Sequence, residues 1–365
     1  MFARLLVNIF TDFWRYYIKP KTNHRKGFAF LAHPRDLSDI RRLTPVFNFL
    51  PDKFLKILMR NFAPFTVTKI IYGGTQNFII SLPLTAPDIL QNKELAVKLT
   101  RRAFKLADRR GVKVVGLGAY TASVTFGGAA LLNLKKKGMF ITTGNALTAL
   151  VAVKQLKNFL ELQKSRGIDF PSALICAVVG ASGSTGRGIT ELILNGKDFS
   201  RYILIGKTPE RLRLLENDLA KRNLLNENVL VTNSLKSIKN ADIIFVATSS
   251  HQLLIKSNLI KHGAVICDIT QPRNVSRDLL EERLDVKIID GGLVETPKIN
   301  YNGVLGLPPH YAFACLAETI MLSSEEIDRD FVGMVSLESI KYIENIFPKY
   351  GFKLDTFLSF GEKMI

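Results

Sequence analysis

Leu174-Ile-Cys-Ala-Val-Val-Gly-Ala-Ser-Gly-Ser-Thr-Gly-Arg-Gly188 decides the reading of this 365-residue chain. An apolar run of strand length meets Gly180, Gly183 and Gly186 and passes into helical sequence. The first glycine permits a tight turn, the second lets backbone approach a pyrophosphate, and the third lets the helix pack near the strand. The helix start then presents its amides and the positive end of its dipole to phosphate. Gly180, Ser182, Gly183, Ser184, Thr185 and Gly186 are therefore the candidate phosphate-binding residues. The spacing is GxxGxxG rather than GxGxxG, a variant associated with NADP. A P-loop is disfavoured, because Gly188 is followed by Ile189 and not by Lys.

Working outward, apolar strands are expected at Leu174–Val179, Tyr202–Ile205, Val229–Val231, Asp242–Ala247, Ala264–Asp268 and Val286–Ile289. Helical sequence separates several of them, notably Gly186–Leu194 and Pro209–Arg222. Strands that are apolar throughout and divided by helices predict a parallel sheet covered on both faces. The second strand leads to Lys207 and Thr208, with no acid to bind ribose hydroxyls. A cation and a hydroxyl there suit a 2′-phosphate, so the expected cofactor is NADPH. Thr248, Ser249, Gly291 and Gly292 follow later strands, where ligands bind in such sheets, and are candidates for the nicotinamide half.

The expected fold is α/β: a Rossmann-type NADP-binding domain over 166–305, and an α/β substrate domain built from 1–165 and from C-terminal helices in 306–365. The segment Gln163–Pro171, with its charges, a Gly and a Pro, marks the transition. In Pro45–Phe65, large apolar residues alternate with Lys53, Lys56 and Arg60, which suits an amphipathic helix from Asp52. Its apolar face can be core, an acyl-chain site or a membrane contact.

The chain is 47% hydrophobic with a net charge of +18, so it is globular and suited to anionic partners. Three scattered cysteines make neither a disulfide framework nor a zinc site and fit a reducing, cytoplasmic setting. Arg4, Asp12 and Arg15 interrupt the apolar N-terminus, which argues against an export signal or a membrane span. That segment either packs on its own domain or lies on the inner membrane surface as a peripheral contact.

For covalent chemistry the candidates are Cys176, Cys267 and Cys315. Cys176 reads as mid-strand core, and Cys267 is ambiguous. Cys315 lies in Pro308-Pro-His-Tyr-Ala-Phe-Ala-Cys-Leu-Ala-Glu318, where two prolines suit a helix start whose dipole favours a thiolate. Composition alone leaves Cys315 as core or nucleophile.

Several segments resemble the long-chain acyl-(acyl carrier protein) reductases of cyanobacteria, which form fatty aldehydes. They are Gly116-Leu-Gly-Ala-Tyr-Thr-Ala-Ser123, Thr142-Thr-Gly-Asn145, Val178–Gly186, Pro209-Glu-Arg-Leu212, Asp290-Gly-Gly-Leu-Val-Glu295 and Phe313-Ala-Cys-Leu-Ala-Glu318. They occur in the family's order over roughly residues 110–325 and also occur in a broader group related in fold to shikimate and amino-acid dehydrogenases. The N-terminal hundred residues are more similar to that broader group.

The resemblance implies that Cys315 is the acylated nucleophile, that NADPH reduces its thioester, and that a long-chain acyl thioester is the substrate, carried by acyl carrier protein or coenzyme A. His310 is then a candidate proton carrier. The basic residues Arg15, Lys19, Lys21, Arg25 and Lys26 are expected to meet acidic carrier protein or an anionic membrane, with no nucleic-acid partner. The alternative is an NADP-dependent hydroxy-acid or amino-acid dehydrogenase without covalent catalysis. Against it, Ser81-Leu-Pro-Leu-Thr85 only faintly resembles the first shikimate dehydrogenase motif and lacks the following lysine. A short-chain dehydrogenase is disfavoured, since its Tyr-x-x-x-Lys spacing occurs only at Tyr17/Lys21, ahead of the cofactor domain.

Overall fold

The structure, a computed structural model, describes residues 2–17, 25–250, 253–297 and 299–364; Lys19 and Lys21 lie outside them. In chain order come α1 (Phe2–Tyr17), β1 (Phe28–Ala32), α2 (Leu37–Leu43), α3 (Asp52–Arg60), β2 (Phe65–Tyr72), β3 (Thr75–Ser81) and α4 (Ala86–Gln91). Then follow α5 (Lys93–Arg109), β4 (Val114–Leu117), α6 (Tyr120–Val124), β5 (Phe140–Thr142), α7 (Asn145–Ser165), β6 (Ile175–Val179) and α8 (Ser184–Gly196). The chain continues with β7 (Arg201–Ile205), α9 (Pro209–Lys221), β8 (Val229–Thr232), β9 (Ile243–Val246), β10 (Val265–Asp268), α10 (Leu279–Glu282) and β11 (Lys287–Asp290). Its last helices are α11 (Ala314–Ser324) and α12 (Leu337–Ile346).

Two compact units result, residues 1–144 with 296–333 and residues 145–295 with 334–365. The expected boundaries at 165/166 and 305/306 therefore shift to 144/145 and 295/296. The reason is α7, which packs on α8 closely enough that a Cβ on Gly188 would lie 2.9 Å from Ala149 Cβ. The C-terminal helices also divide. α11 packs on β4 and β1 in the first unit, whereas α12 packs on α7 and α8 in the second. The expectation that both join the substrate domain is corrected accordingly.

The second unit carries a six-stranded sheet in the order β11-β10-β9-β6-β7-β8, parallel at every pairing. All six strands coincide with the sequence expectation to within a residue or two. The strand order reverses between β6 and β9, with β7 and β8 on one side and β10 and β11 on the other, which creates the switch point where doubly wound sheets bind ligands. Both faces are covered by apolar clusters, one around Val178, Ile189 and Phe245, the other around Ala177, Ile244 and Ile266.

The first unit has a five-stranded sheet, β2-β3-β1-β4-β5, in which only the β2–β3 pair is antiparallel. Its core gathers Leu31, Ile80, Phe104, Val115 and Ile141. The fold class is thus α/β throughout, a Rossmann-type domain with a second α/β unit.

Helix α1 docks through a mixed face that includes partly buried Leu5 and Ile9. Asn8 and Asp12 are buried, and Leu6, Val7, Phe10 and Trp14 are exposed. The α3 region also departs from the core reading: Leu55 and Met59 are buried, but Phe49, Phe54 and Ile57 are exposed.

Candidate functional site

The glycine turn sits at the carboxyl edge of β6. The Gly180 and Ala181 amides donate to the Ile205 carbonyl at 2.8 and 3.0 Å, which ties the turn to the end of β7. Gly180 has φ +94°, and a Cβ there would lie 2.5 Å from the Ala247 carbonyl oxygen just past β9. A Cβ on Gly186 would lie 2.1 Å from the Gly180 carbonyl oxygen. These two glycines are required by packing. Gly183 is less constrained: a Cβ there would press the Gly180 carbonyl oxygen at 3.3 Å, a contact a small shift can ease. Gly183 is also the N-cap of α8 and brings no side-chain cap to that helix start. This is the arrangement a dinucleotide pyrophosphate needs: a bare cap position at a helix dipole, ringed by strand ends.

The other candidates of this unit lie along the same edge. Ser182 reaches over Gly206, where an added Cβ would come within 2.8 Å of its hydroxyl. Lys207 and Thr208 follow directly and are exposed. Thr208 caps α9 without a side-chain hydrogen bond. Past β9, Thr248 accepts the Ser250 amide through its hydroxyl, and Ser249 is exposed. Thr185 is already engaged, donating to Asn145 Oδ1 at 2.9 Å.

Gly291 and Gly292 differ from expectation. A Cβ on Gly291 would lie 2.5 Å from Cys267 Sγ, so the close neighbour there is the core rather than a ligand. The Gly292 amide donates to buried Gln155, whose Nε2 in turn donates to the Leu293 carbonyl at 2.7 Å. Sequence reading missed Gln155, and it quoted Asn145 without its bond to Thr185, because both act across long separations from α7.

Replacing Gly183 by alanine tests the turn. The methyl group would meet the Gly180 carbonyl oxygen at 3.3 Å, a tight contact that a shift of a few tenths of an ångström relieves, so stability should fall little. Affinity for a nicotinamide dinucleotide should fall about tenfold or more, as for loss of ~1.4 kcal/mol of contact. Undiminished affinity by fluorescence titration would show that phosphate lies elsewhere.

In the first unit, α11 begins at Ala314, not at the prolines. His310 adopts φ +67°, Tyr311–Phe313 is extended, and Phe313 is the N-cap. Cys315 is consequently the second residue of the helix. Ala314 and Leu316–Leu322 are all buried, and Cys315 alone in that run is only partly buried.

The Thr142–Gly144 segment closes over Cys315. Gly144 has φ +71°, and a Cβ there would lie 2.3 Å from both Cα and Cβ of Cys315. The Thr142 hydroxyl donates to buried Glu318, one helical turn after Cys315, and accepts the Gly144 amide at 3.0 Å. Thr319 donates to the Cys315 carbonyl, and Gly116 leaves room for Thr319 against β4.

Burial foremost, then the Glu318 charge, pushes the Cys315 thiol up to about 12. The Leu316 and Cys315 amides act the other way. The helix start thus favours the thiolate as expected, but burial outweighs it. Cys176 and Cys267 are fully buried, with thiols pushed well above the ordinary value by burial. His310 is exposed, and its carbonyl accepts the Thr296 amide at 2.6 Å.

Residues 162–290 match the family model of shikimate/quinate 5-dehydrogenases. The aminotransferase PigE of Serratia sp. is 25% identical over 359 residues, covering 92% of this chain; the chain spans only 40% of that relative's length. The long-chain acyl-(acyl-carrier-protein) reductase of Synechococcus elongatus is 25% identical over 299 residues, 78% of this chain and 83% of that protein. L-tryptophan dehydrogenase from Nostoc punctiforme superposes with a TM-score of 0.37 at 10% identity, over 88% of this chain and 79% of its own. The chain is thereby similar to the broad shikimate- and amino-acid-dehydrogenase-like group of NAD(P)-dependent oxidoreductases.

Proposed function

We propose that this protein is an NADPH-dependent reductase that converts a long-chain acyl thioester, of acyl carrier protein or coenzyme A, to a fatty aldehyde. The observation that carries this reading is Cys315: the one partly buried residue in an otherwise buried helix start, with the Gly144 backbone packed on it. A cysteine kept for packing alone would resemble Cys176 and Cys267, which are sealed in strands.

In the proposed reaction Cys315 Sγ attacks the substrate carbonyl, and the bond to the carrier sulfur breaks as that thiol leaves with a proton. The Cys315 proton is released as Sγ attacks and is balanced by the one the departing carrier thiol takes up, so this half of the reaction is proton-neutral. The amides at the start of α11 stabilise negative charge on the former carbonyl oxygen. NADPH, when bound, supplies the hydride that reduces the Cys315 thioester. Collapse then breaks the carbon–sulfur bond, regenerates the thiol and frees the aldehyde. His310, exposed five residues earlier, is the candidate for exchanging that proton with water. Gly180, Ser182, Gly183, Ser184, Thr185 and Gly186 would hold the pyrophosphate, Lys207 and Thr208 the 2′-phosphate, and Thr248 and Ser249 the nicotinamide half.

The test is mass spectrometry after incubation with a long-chain acyl thioester and no NADPH. One added acyl group supports the reading. An unmodified chain that nonetheless oxidises a hydroxy or amino acid favours a second reading, a dehydrogenase without covalent catalysis. The shikimate/quinate match over 162–290 supports that second reading equally at the cofactor unit.

Cofactor preference follows from the end of β7. Lys207→Ala should weaken NADPH binding by roughly 1.5–3 kcal/mol, the range for a hydrogen bond to a charged group. NADH binding should be nearly unchanged. Equal losses for both cofactors would remove Lys207 from the 2′-phosphate site.

A further inference from the structure

Helix α1 docks through a mixed face, on which Leu5 and Ile9 are partly buried beside Asn8 and Asp12, and leaves an apolar stripe outward. Asn8 and Asp12, one turn apart, face its own unit, and Asp12 accepts hydrogen bonds there from Arg110 and from the Thr66 amide. Leu6, Val7, Phe10 and Trp14 share the opposite face, with Phe10 70% and Trp14 48% exposed. Four large apolar side chains at helical spacing form a continuous stripe, which water disfavours unless something covers it.

Charge identifies the cover. Asp12 is the sole acid among the first 26 residues, and it is consumed by the buried pair with Arg110. Arg4, Arg15, Lys19, Lys21 and Lys26 leave the segment strongly cationic. Arg25 does not belong with them, because it is buried against Asp108 at 2.5 Å. The same unit exposes a second apolar and cationic surface, where Phe49, Phe54 and Ile57 accompany Lys53 and Lys56. No described helix is long and apolar enough to cross a membrane.

We propose that α1 lies on an anionic phospholipid surface, its Leu6–Trp14 stripe among the acyl chains, with the net positive charge of the first 26 residues favouring anionic headgroups. An interfacial helix has this make-up: an apolar stripe with tryptophan and phenylalanine, bordered by lysine and arginine. An acidic protein partner would use the cations but offers no comparable sink for four large apolar side chains. The proposal depends on neither Cys315 nor the cofactor turn, so it stands or falls independently of the reductase reading.

Trp14 is the only tryptophan of the chain, so the intact protein reports on this face directly. Vesicles of phosphatidylglycerol and phosphatidylcholine should shift its emission to the blue, and brominated acyl chains should quench it. Pure phosphatidylcholine should do so much less, and added salt should weaken the effect through screening. Phe10→Ser and Val7→Ser should each lower vesicle partitioning, by roughly tenfold for the aromatic, at unchanged fold. The proposal is overturned by an emission spectrum that anionic vesicles leave unmoved. It is equally overturned by a blue shift that follows protein concentration without lipid, which would make a second copy the cover. A shift produced by acidic carrier protein but not by vesicles would overturn it as well.

Discussion

Cys315→Ala is expected to lose acyl labelling entirely and nearly all aldehyde formation, with NADPH affinity retained. Cys315→Ser should fare little better, since a serine hydroxyl without a paired base is a far weaker nucleophile than a thiolate. Retained NADPH binding follows from the chain itself: the glycine turn belongs to residues 145–295, and Cys315 to the other unit. The structure adds a pH dependence. With the thiol pushed up to about 12, the thiolate is scarce at neutral pH. Its fraction grows as pH rises toward that value, so iodoacetamide should modify Cys315 roughly tenfold faster per pH unit between about pH 7 and pH 10. A flat profile would contradict the burial argument. An active Cys315→Ala enzyme would end the covalent mechanism and leave the dehydrogenase reading.

The Rossmann sheet was legible because its evidence is local. Each strand is an apolar run, and the Gly180–Gly186 turn is a compact stretch in which every glycine has its own geometric task. The environment of Cys315 was only half legible. Thr142-Thr-Gly-Asn145 and Phe313–Glu318 stand out as motifs, but nothing local says that Gly144 packs on Cys315 or that Thr142 bonds Glu318 across 176 positions. The division of α7 and α12 was illegible for the same reason. Periodicity shows which residues share a helix face. It does not show which face is buried, and in α1 the usual assumption fails because Asp12 meets Arg110, 98 positions on.

That pairing sets up the largest expected effect on stability. Arg110 is 1% exposed at its side chain and lies 4.6 Å over the Phe78 ring. Burial pulls its guanidinium below the ordinary value, and Asp12 opposes the shift. Asp12→Ala would strand that cation in the core and remove the acceptor of the Thr66 amide on β2. Breaking one side of a buried pair costs about 3–5 kcal/mol, against a total stability of roughly 5–15 kcal/mol. Denaturant titration should therefore show a large drop. Much of that drop should return in Asp12→Ala combined with Arg110→Met, because the penalty belongs to the unpaired charge and not to a lost attraction. Phe10→Ser, two residues earlier but on the exposed face, should leave stability nearly unchanged. If Phe10→Ser proved as damaging as Asp12→Ala, the docking of α1 through its Asn8–Asp12 face would be wrong, because the Phe10 face would have to be the one that packs.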